Sequence, residues 1–246
     1  MIKVLTYNIH KGFNRYNRDF ILHRIKQHIS EVEVDIILLQ EIQGRHFQHE
    51  LSMRSWPEVT QFEYLADSIW PHYAYGKNAV YQHGHHGNAI LSKFNIAEWN
   101  NFNLSRFRQA SRSFLHGVVA LPDSNQPLHL ICVHLDVIGF ERRRQLKILR
   151  RYIDDSIAPR EPLILAGDFN DWFGRQGKIL ETQLHMKEAI RQLHGKYAKT
   201  FPSHRPALRM DRIYYRGIEL VDSGCLAQQP WSRLSDHLPL YAQFSV

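Results

Sequence analysis

Cysteine is almost missing from this sequence: there are two in 246 residues, Cys132 and Cys225, far apart and each inside an apolar stretch. That excludes a disulfide scaffold and a cysteine-ligated zinc site, and makes a reducing compartment the simpler setting. Long apolar runs are missing too. Nothing approaches the roughly 18 apolar residues of a spanning helix, and Met1-Ile2-Lys3-Val4-Leu5-Thr6-Tyr7-Asn8 is not a charged segment followed by an apolar one. A soluble, cytoplasmic protein with no integral membrane association is the expectation. No lipidation motif or amphipathic anchoring helix is present, and no low-complexity or Pro/Gly/Ser-rich linker divides the chain, so residues 1–246 read as one catalytic or binding domain. Acidic residues are the minority among charges, 24 against 31 Lys plus Arg, a net charge of +7. Such an excess attracts nucleic acid, phospholipid head groups or phosphorylated metabolites, although the same charge spread evenly serves solubility alone.

What is present is the composition of a folded domain: 43% hydrophobic, 12% aromatic and 22% charged residues, which rules out an extended disordered chain, collagen or a coiled coil. Short apolar runs recur at 2–7, 36–39, 89–91, 114–121, 128–135, 163–166, 212–215 and 238–244, and their length and β-branched content predict strands. Residues 18–32 place Ile21, Ile25, Ile29 and Val32 on one helical face. Residues 140–154 do the same with Leu146, Leu149 and Ile153, leaving Arg142, Arg143, Lys147, Arg150 and Arg151 elsewhere. Turn-forming residues concentrate at 43–57, 76–88, 99–112, 122–127, 195–206 and 227–235, which read as long loops. Strand, helix and strand at 2–8, 18–32 and 35–41 return at 128–136, 140–154 and 162–168, predicting two β-α-β halves. The residues ending the strands of both halves should meet at one rim.

Those strand ends carry the unusual side chains. Asn8 closes the first strand and Gln40-Glu41 the second. His134 and Asp136 close a middle strand, and Gly167-Asp168-Phe169-Asn170-Asp171 follows Leu163-Ile164-Leu165-Ala166. Asp211 opens the strand Arg212-Ile213-Tyr214-Tyr215, and Ser235-Asp236-His237 precedes the last strand. Each alone is explained as a turn or helix cap. Together, carboxylates abutting apolar strands must be paired, exposed or bound to metal. Oxygen donors of this kind suit Mg²⁺ or Mn²⁺, with imidazoles to manage protons and charge, whereas no HxxxH or CxxC pattern supports zinc.

In order along nearly the whole chain, Thr6-Tyr7-Asn8-Ile9, Leu38-Leu39-Gln40-Glu41, Gly87-Asn88-Ala89-Ile90-Leu91-Ser92, His134-Leu135, Gly167-Asp168-Phe169-Asn170, Asp211-Arg212-Ile213 and Ser235-Asp236-His237 resemble the endonuclease/exonuclease/phosphatase superfamily. That group includes pancreatic-type deoxyribonucleases, apurinic endonucleases, inositol polyphosphate 5-phosphatases, neutral sphingomyelinases and poly(A) deadenylases. The resemblance implies an α/β (α+β) fold of the deoxyribonuclease I type, a four-layer sandwich of two mixed β-sheets packed face to face with helices outside. It implies a divalent-metal-dependent hydrolase of phosphate esters, a phosphodiesterase or nuclease using in-line attack by an activated water, with Mg²⁺ or Mn²⁺ as cofactor. By similarity Glu41 is the leading metal ligand, with Asn8 beside it and Asp236 reaching the metal directly or through water. Asp168 would orient or deprotonate the water, Asn170 would donate to a non-bridging oxygen, and His237, held by Asp211, would act as an imidazolium. Asn88 and Arg112 would meet the substrate phosphate. His134 occurs where the apurinic enzymes tend to carry Tyr, and His10 follows Asn8-Ile9 where they have an acid, so the resemblance points away from that branch.

The substrate is less legible. Arg106, Phe107, Arg108 and Arg112 form one basic loop, and Lys196, Lys199, His204, Arg205 and Arg209 another, as a polynucleotide backbone requires. Trp56, Trp70, Trp172 and Trp231 in or near loops suit instead a phosphatase or phospholipase C-type enzyme acting on inositol phosphates or phospholipid head groups. The run Gln82-His83-Gly84-His85-His86 reads as a loop beside the cleft or a surface metal-binding tract. A non-catalytic phosphate-binding module that kept the fold is a third reading, set against the presence of the whole Glu, Asp and His set. No protein partner can be read.

Overall fold

The computed structural model describes residues 1–53, 55–106, 112–122, 124, 126–175 and 177–245. Phe107 and Arg108 of the first basic loop lie outside them. In chain order the elements are β1 (Ile2–Asn8), α1 (Leu22–Glu31), β2 (Ile36–His46), α2 (Phe47–Ser52), α3 (Gln61–Ala66), β3 (His72–Tyr81), β4 (Gly84–Ser92), β5 (Ile96–Asn103), β6 (Ser113–Val119) and β7 (Leu128–His134). They continue as α4 (Gly139–Ser156), β8 (Leu163–Asp168), α5 (Lys178–Gln183), β9 (Lys187–Glu188), α6 (Ala189–His194), β10 (Asp211–Arg216), β11 (Glu219–Cys225), α7 (Trp231–Leu234) and β12 (Leu240–Ser245).

Two six-stranded mixed sheets result, in the orders β11-β12-β1-β2-β4-β3 and β5-β6-β7-β8-β10-β9. Each contains one parallel pair made by a helical crossover: β1 with β2 through α1, and β7 with β8 through α4. Parallel strands need such a crossover, and covering both faces makes their sequences apolar on successive residues. Alternation then sorts the side chains. Val4, Leu38, Ile90, Leu115, Leu130, Cys132, Ile164, Ala166, Ile213 and Leu240 fill the space between the sheets. Leu5, Tyr7, Ile37, Leu39 and Leu91 face outward against Ile25 and Ile29 of α1 and against Trp70. Ile131, Val133, Leu163 and Leu165 face Leu146, Leu149 and Ile153 of α4. The layering is therefore helix, sheet, sheet, helix, as the sequence resemblance implies.

Some boundaries differ from the sequence reading. The first helix begins at Leu22, because Phe13 and Phe20 bridge one another and close the preceding loop. Residues 76–88 are mostly a hairpin of β3 and β4, and 99–103 belong to β5. Their polar side chains are those of edge and near-edge strands facing water, a pattern easily mistaken for loop. Arg142 is not on the solvent side of its helix: it is 8% exposed and its Nη1 donates to the carbonyls of Asp136 and Val137. Trp56, Trp70 and Trp231 are buried packing residues, and among the four tryptophans singled out only Trp172 is exposed.

Candidate active site

The two parallel pairs bring their carboxyl ends to one rim. In the first sheet Asn8 sits opposite Gln40 in register, with Glu41 next in the chain. In the second, Asp168 is paired with His134 on one side and Asp211 on the other. The sheets meet there through a hydrogen bond from Asn8 Nδ2 to Asp168 Oδ2 at 3.4 Å. His237 reaches the same carboxylate from the loop before β12, its Nε2 lying 3.9 Å from Asp168 Oδ2.

His237 and Asp211 form the tightest polar pair of this group. Nδ1–H donates to Asp211 Oδ2 at 2.9 Å, and both residues are at most 5% exposed. Burial alone would lower the imidazole pKa, but the carboxylates of Asp211 and Asp168 dominate and push it up to about 10. His237 is thus an imidazolium at neutral pH. Asp168 moves the other way: burial and the charge of Asp211 raise its pKa above the ordinary carboxylate range, against the opposing pull of His237 and the Asn170 amide. A buried carboxyl of raised pKa beside an imidazolium is a usual way to prepare an acid–base group.

His134 differs from His237 in charge. Arg112 Nη1 donates to His134 Nε2, which also lies 3.4 Å from Asp168 Oδ2. A guanidinium can only donate, so in this contact Nε2 is the acceptor. Burial, followed by the Arg112 charge, accordingly depresses its pKa. Asn170 is 3% exposed with φ of 48°; its backbone N–H donates to Asp168 Oδ1 at 2.9 Å and its Nδ2 to the Leu135 carbonyl at 2.9 Å.

Glu41 is held at an irregularity in β2 with φ of 55°, and Lys11 Nζ lies 3.3 Å from its Oε2. Oε2 is buried with no hydrogen-bond partner among the described residues. His10 and Lys11 also have positive φ, 47° and 58°, and the turn is tied down by His10 N–H to Asn8 Oδ1 at 3.1 Å and by Gln61 Nε2 to the Lys11 carbonyl at 2.8 Å. Left-handed non-glycine residues are costly and gather where a site dictates the backbone; His10, Lys11, Glu41 and Asn170 all lie on this rim. Asp236 is farther out, 29% exposed at its side chain, with Oδ1 4.0 Å from His10 Nδ1.

Asn88 lies below the rim. It is fully buried, and its Nδ2 donates to the carbonyls of Ser113 and Cys132 at 3.2 and 3.4 Å, so the amide joins the two sheets and has no exposed N–H. Sequence reasoning did not single out Lys11. The polar turn His10-Lys11-Gly12, one residue after the strand-end Asn8, was the available signal. The second basic loop, with Lys196, Lys199, His204 and Arg205 exposed, runs close by: Phe201 packs against the His237 ring at 5.0 Å.

Two donor sets are candidates for a cation. Asp168, Asp211 and His237 place one ligand atom each within 4.8 Å of one another, but His237 and one Asp211 oxygen are already committed to each other. Glu41 and Asn8 offer oxygens on adjacent strand ends, with Lys11 Nζ 3.3 Å from Glu41 Oε2. All-oxygen donors with an ionisable carboxylate fit a hard divalent cation better than a zinc-like one.

Comparison with known proteins agrees with this fold. The model of the Endonuclease/Exonuclease/phosphatase family matches residues 5–237. The chain is 40% identical over 244 residues to the protein YbhP of Escherichia coli strain K12, covering 99% of this chain and 96% of YbhP. An endonuclease/exonuclease/phosphatase from Beutenbergia cavernae superposes with a TM-score of 0.81 at 20% identity, over 100% of this chain and 71% of that one. D. rerio TDP2 complexed with single strand DNA product superposes with a TM-score of 0.70 at 18% identity, over 100% and 99% of the two chains. At such identities these structures establish the likeness of fold.

Proposed function

Because this chain belongs to the Endonuclease/Exonuclease/phosphatase family, we propose that it is a divalent-metal-dependent hydrolase of phosphate esters, acting as a phosphodiesterase of the nuclease type. The observation that carries the reading is the meeting, across one rim, of a buried acid–base group with the side-chain oxygens of two adjacent strand ends. Asp168 and its imidazolium neighbour lie on the second-sheet side, Asn8 and Glu41 on the first. Support for a diester comes from the basic loop beside His237, from the net charge of +7, and from TDP2, a fold relative seen with a single strand DNA product.

In this mechanism Asn8 and Glu41, with Asp236, would hold Mg²⁺ or Mn²⁺. When bound, the cation supplies charge neutralisation at the phosphate. Asp168, anchored by Asn8 and the Asn170 amide, orients a water and takes its proton as the oxygen attacks phosphorus in line with the departing ester oxygen. His237 presents Nε2–H to the phosphoryl oxygens as negative charge develops, and Asp211 holds the ring and keeps it charged. Arg112, beside His134, adds a second fixed cation, and the remaining N–H of Asn170 donates to a non-bridging oxygen.

A second reading, hydrolysis of phospholipid head groups, draws on a separate observation. Val137, Ile138 and Phe140, between β7 and the start of α4, and Trp172 and Phe173, after β8, are 42–64% exposed beside the cleft. Apolar side chains in such a position suit a lipid surface. The test is Mg²⁺- and Mn²⁺-dependent hydrolysis of bis-p-nitrophenyl phosphate, single-stranded DNA, plasmid DNA, RNA, inositol phosphates and phospholipid vesicles, with Glu41→Ala and His237→Ala as controls. Cleavage of polynucleotide and reporter, reduced at least about 100-fold in both variants, is the expected result. Release from vesicles alone transfers the assignment to lipid, and inactivity on every ester overturns both readings.

A further inference from the structure

A pocket of about 520 Å³ opens beside Glu41 on the first-sheet side of the rim, within the size range of small-molecule sites. Its walls include Lys11, Phe13, Gln43, His49, Tyr81 and His86. Lys11 connects it to the reacting centre through its 3.3 Å ion pair with Glu41. A somewhat larger cavity, about 590 Å³, is lined by Leu121, Pro162, Gly217 and Ser245 at the opposite ends of the strands and has no such connection.

The lining of the smaller pocket is unusual in what it leaves unbonded. Gln43 is 2% exposed; its Nε2 donates to Tyr81 Oη at 2.9 Å while its Oε1 has no partner. Nδ1 of His49 and Nδ1 of His86 are likewise buried without a hydrogen-bond partner among the described residues. Buried polar groups in this state call for a ligand or ordered water. Ring faces surround them: His46 stacks on His49 at 3.6 Å, Phe13 meets His49 edge-on at 5.5 Å, and the Tyr81 ring, 37% exposed, lies 5.9 Å from His86. Burial lowers the pKa of both His46 and His49, so the stacked pair offers neutral donors and acceptors. Among the described residues the charged groups lining the pocket are the cations Lys11 and Arg18 and no carboxylate, which disfavours a hydroxyl-rich sugar ring. Flat walls with neutral hydrogen-bonding edges fit a planar heteroaromatic ring.

We propose that this pocket is a nucleobase subsite, holding the base next to the scissile phosphate and making the substrate a nucleotide-containing phosphodiester. The inference rests on the phosphate-ester reading above and names the substrate class of that site. It is tested by isothermal titration of the metal-free protein with four nucleoside 5′-monophosphates and with deoxyribose 5-phosphate, for the wild type, Tyr81→Ala and His49→Ala. At least one nucleotide should bind the wild type about tenfold or more tightly than the base-free sugar phosphate, the order that stacking on one aromatic wall supplies. That ratio should shrink in both variants. Equal affinity with and without the base in the wild type, or no measurable binding of any nucleotide, overturns the proposal even if a variant fails to fold. Base discrimination without hydrolysis of any phosphodiester leaves the subsite standing and removes the catalytic reading; hydrolysis without base discrimination does the reverse.

Discussion

A buried histidine can be held charged or neutral, and this protein does both with neighbours it chooses by strand register. His237 is kept charged by two carboxylates, His134 neutral by burial and a guanidinium. Away from the rim, His116 and His129 form a second buried pair: His116 Nε2 faces His129 Nδ1 at 3.0 Å, and His116 Nδ1 faces the Tyr152 hydroxyl at 2.7 Å. Only one proton fits between the two rings, so they cannot both be doubly protonated. Burial, reinforced by His129, pushes His116 down to about 4. Its folded-state pKa is thus below the ordinary value near 6.5, and the unfolded chain binds the extra proton first as pH falls. The stability tied to this group is complete above pH 6.5 and is lost as pH falls toward 4. Urea unfolding at pH 7.5 and 5.0 should show a loss for the wild type on the order of 2 kcal/mol larger than for His116→Leu. Equal losses would mean that the ring is already solvated in the folded state. None of this was legible in the sequence, where His116 and His129 sit in apolar runs with nothing to show that β6 and β7 align them. Asp168, Asp211 and His237 were legible as polar residues at strand ends, because burying such groups without a partner is too costly to be accidental.

Among the elements, β1, β2, β7, β8, α1 and α4 were readable because both faces of each parallel pair are covered and the apolar runs are therefore continuous. The strands β3 and β5 and the first half of β4 were not, since His, Asn, Gly and Lys on their water-facing sides imitate loop composition, whereas the run 89–91 in the second half of β4 was. Gly167 shows how closely the readable strands are set. It has φ of 144°, and a Cβ there would lie 2.0 Å from the Val133 carbonyl oxygen of the neighbouring strand. No flexible side chain can yield in that contact, so Gly167→Ala must push β8 away from β7 directly before Asp168. The expected result is destabilisation by about 3 kcal/mol or more, with activity lost even in the fraction that folds. Gly195, also at positive φ but with no atom within 4 Å of the added carbon, is the control: Gly195→Ala bears only the backbone penalty of about 1 kcal/mol. Similar small losses in the two variants, by thermal unfolding, would show that the β7–β8 spacing is not what places Asp168.

Across the whole molecule, the site exists only where the two sheets are locked in relation to one another. The lock is polar. Asn8 reaches Asp168, Gln40 Nε2 reaches Cys132 Sγ at 3.2 Å, and Asn88 reaches the carbonyls of Ser113 and Cys132. A role for Asn88 at the phosphate was the natural reading of its strand-end motif; which sheet it would face, and that a second sheet lay within reach, follow only from the packing. The same packing separates the two candidate cation sites, since Glu41 belongs to the first sheet and the group of Asp168, Asp211 and His237 to the second and the closing loop. A ligand that binds only the folded state adds RT ln(1 + [L]/Kd), about 2.7 kcal/mol at one hundred times Kd, which for a chain of this size is roughly 5–10 °C in Tm. Saturating Mg²⁺ or Mn²⁺ should therefore raise the Tm of the wild type by that order. Glu41→Ala should abolish the rise, because it removes the carboxylate that would hold the cation, while His237→Ala should keep it, because its imidazole is turned to Asp211. The opposite pattern, a rise retained in Glu41→Ala and lost in His237→Ala, would move the cation to the second sheet and leave Lys11 as the permanent partner of Glu41.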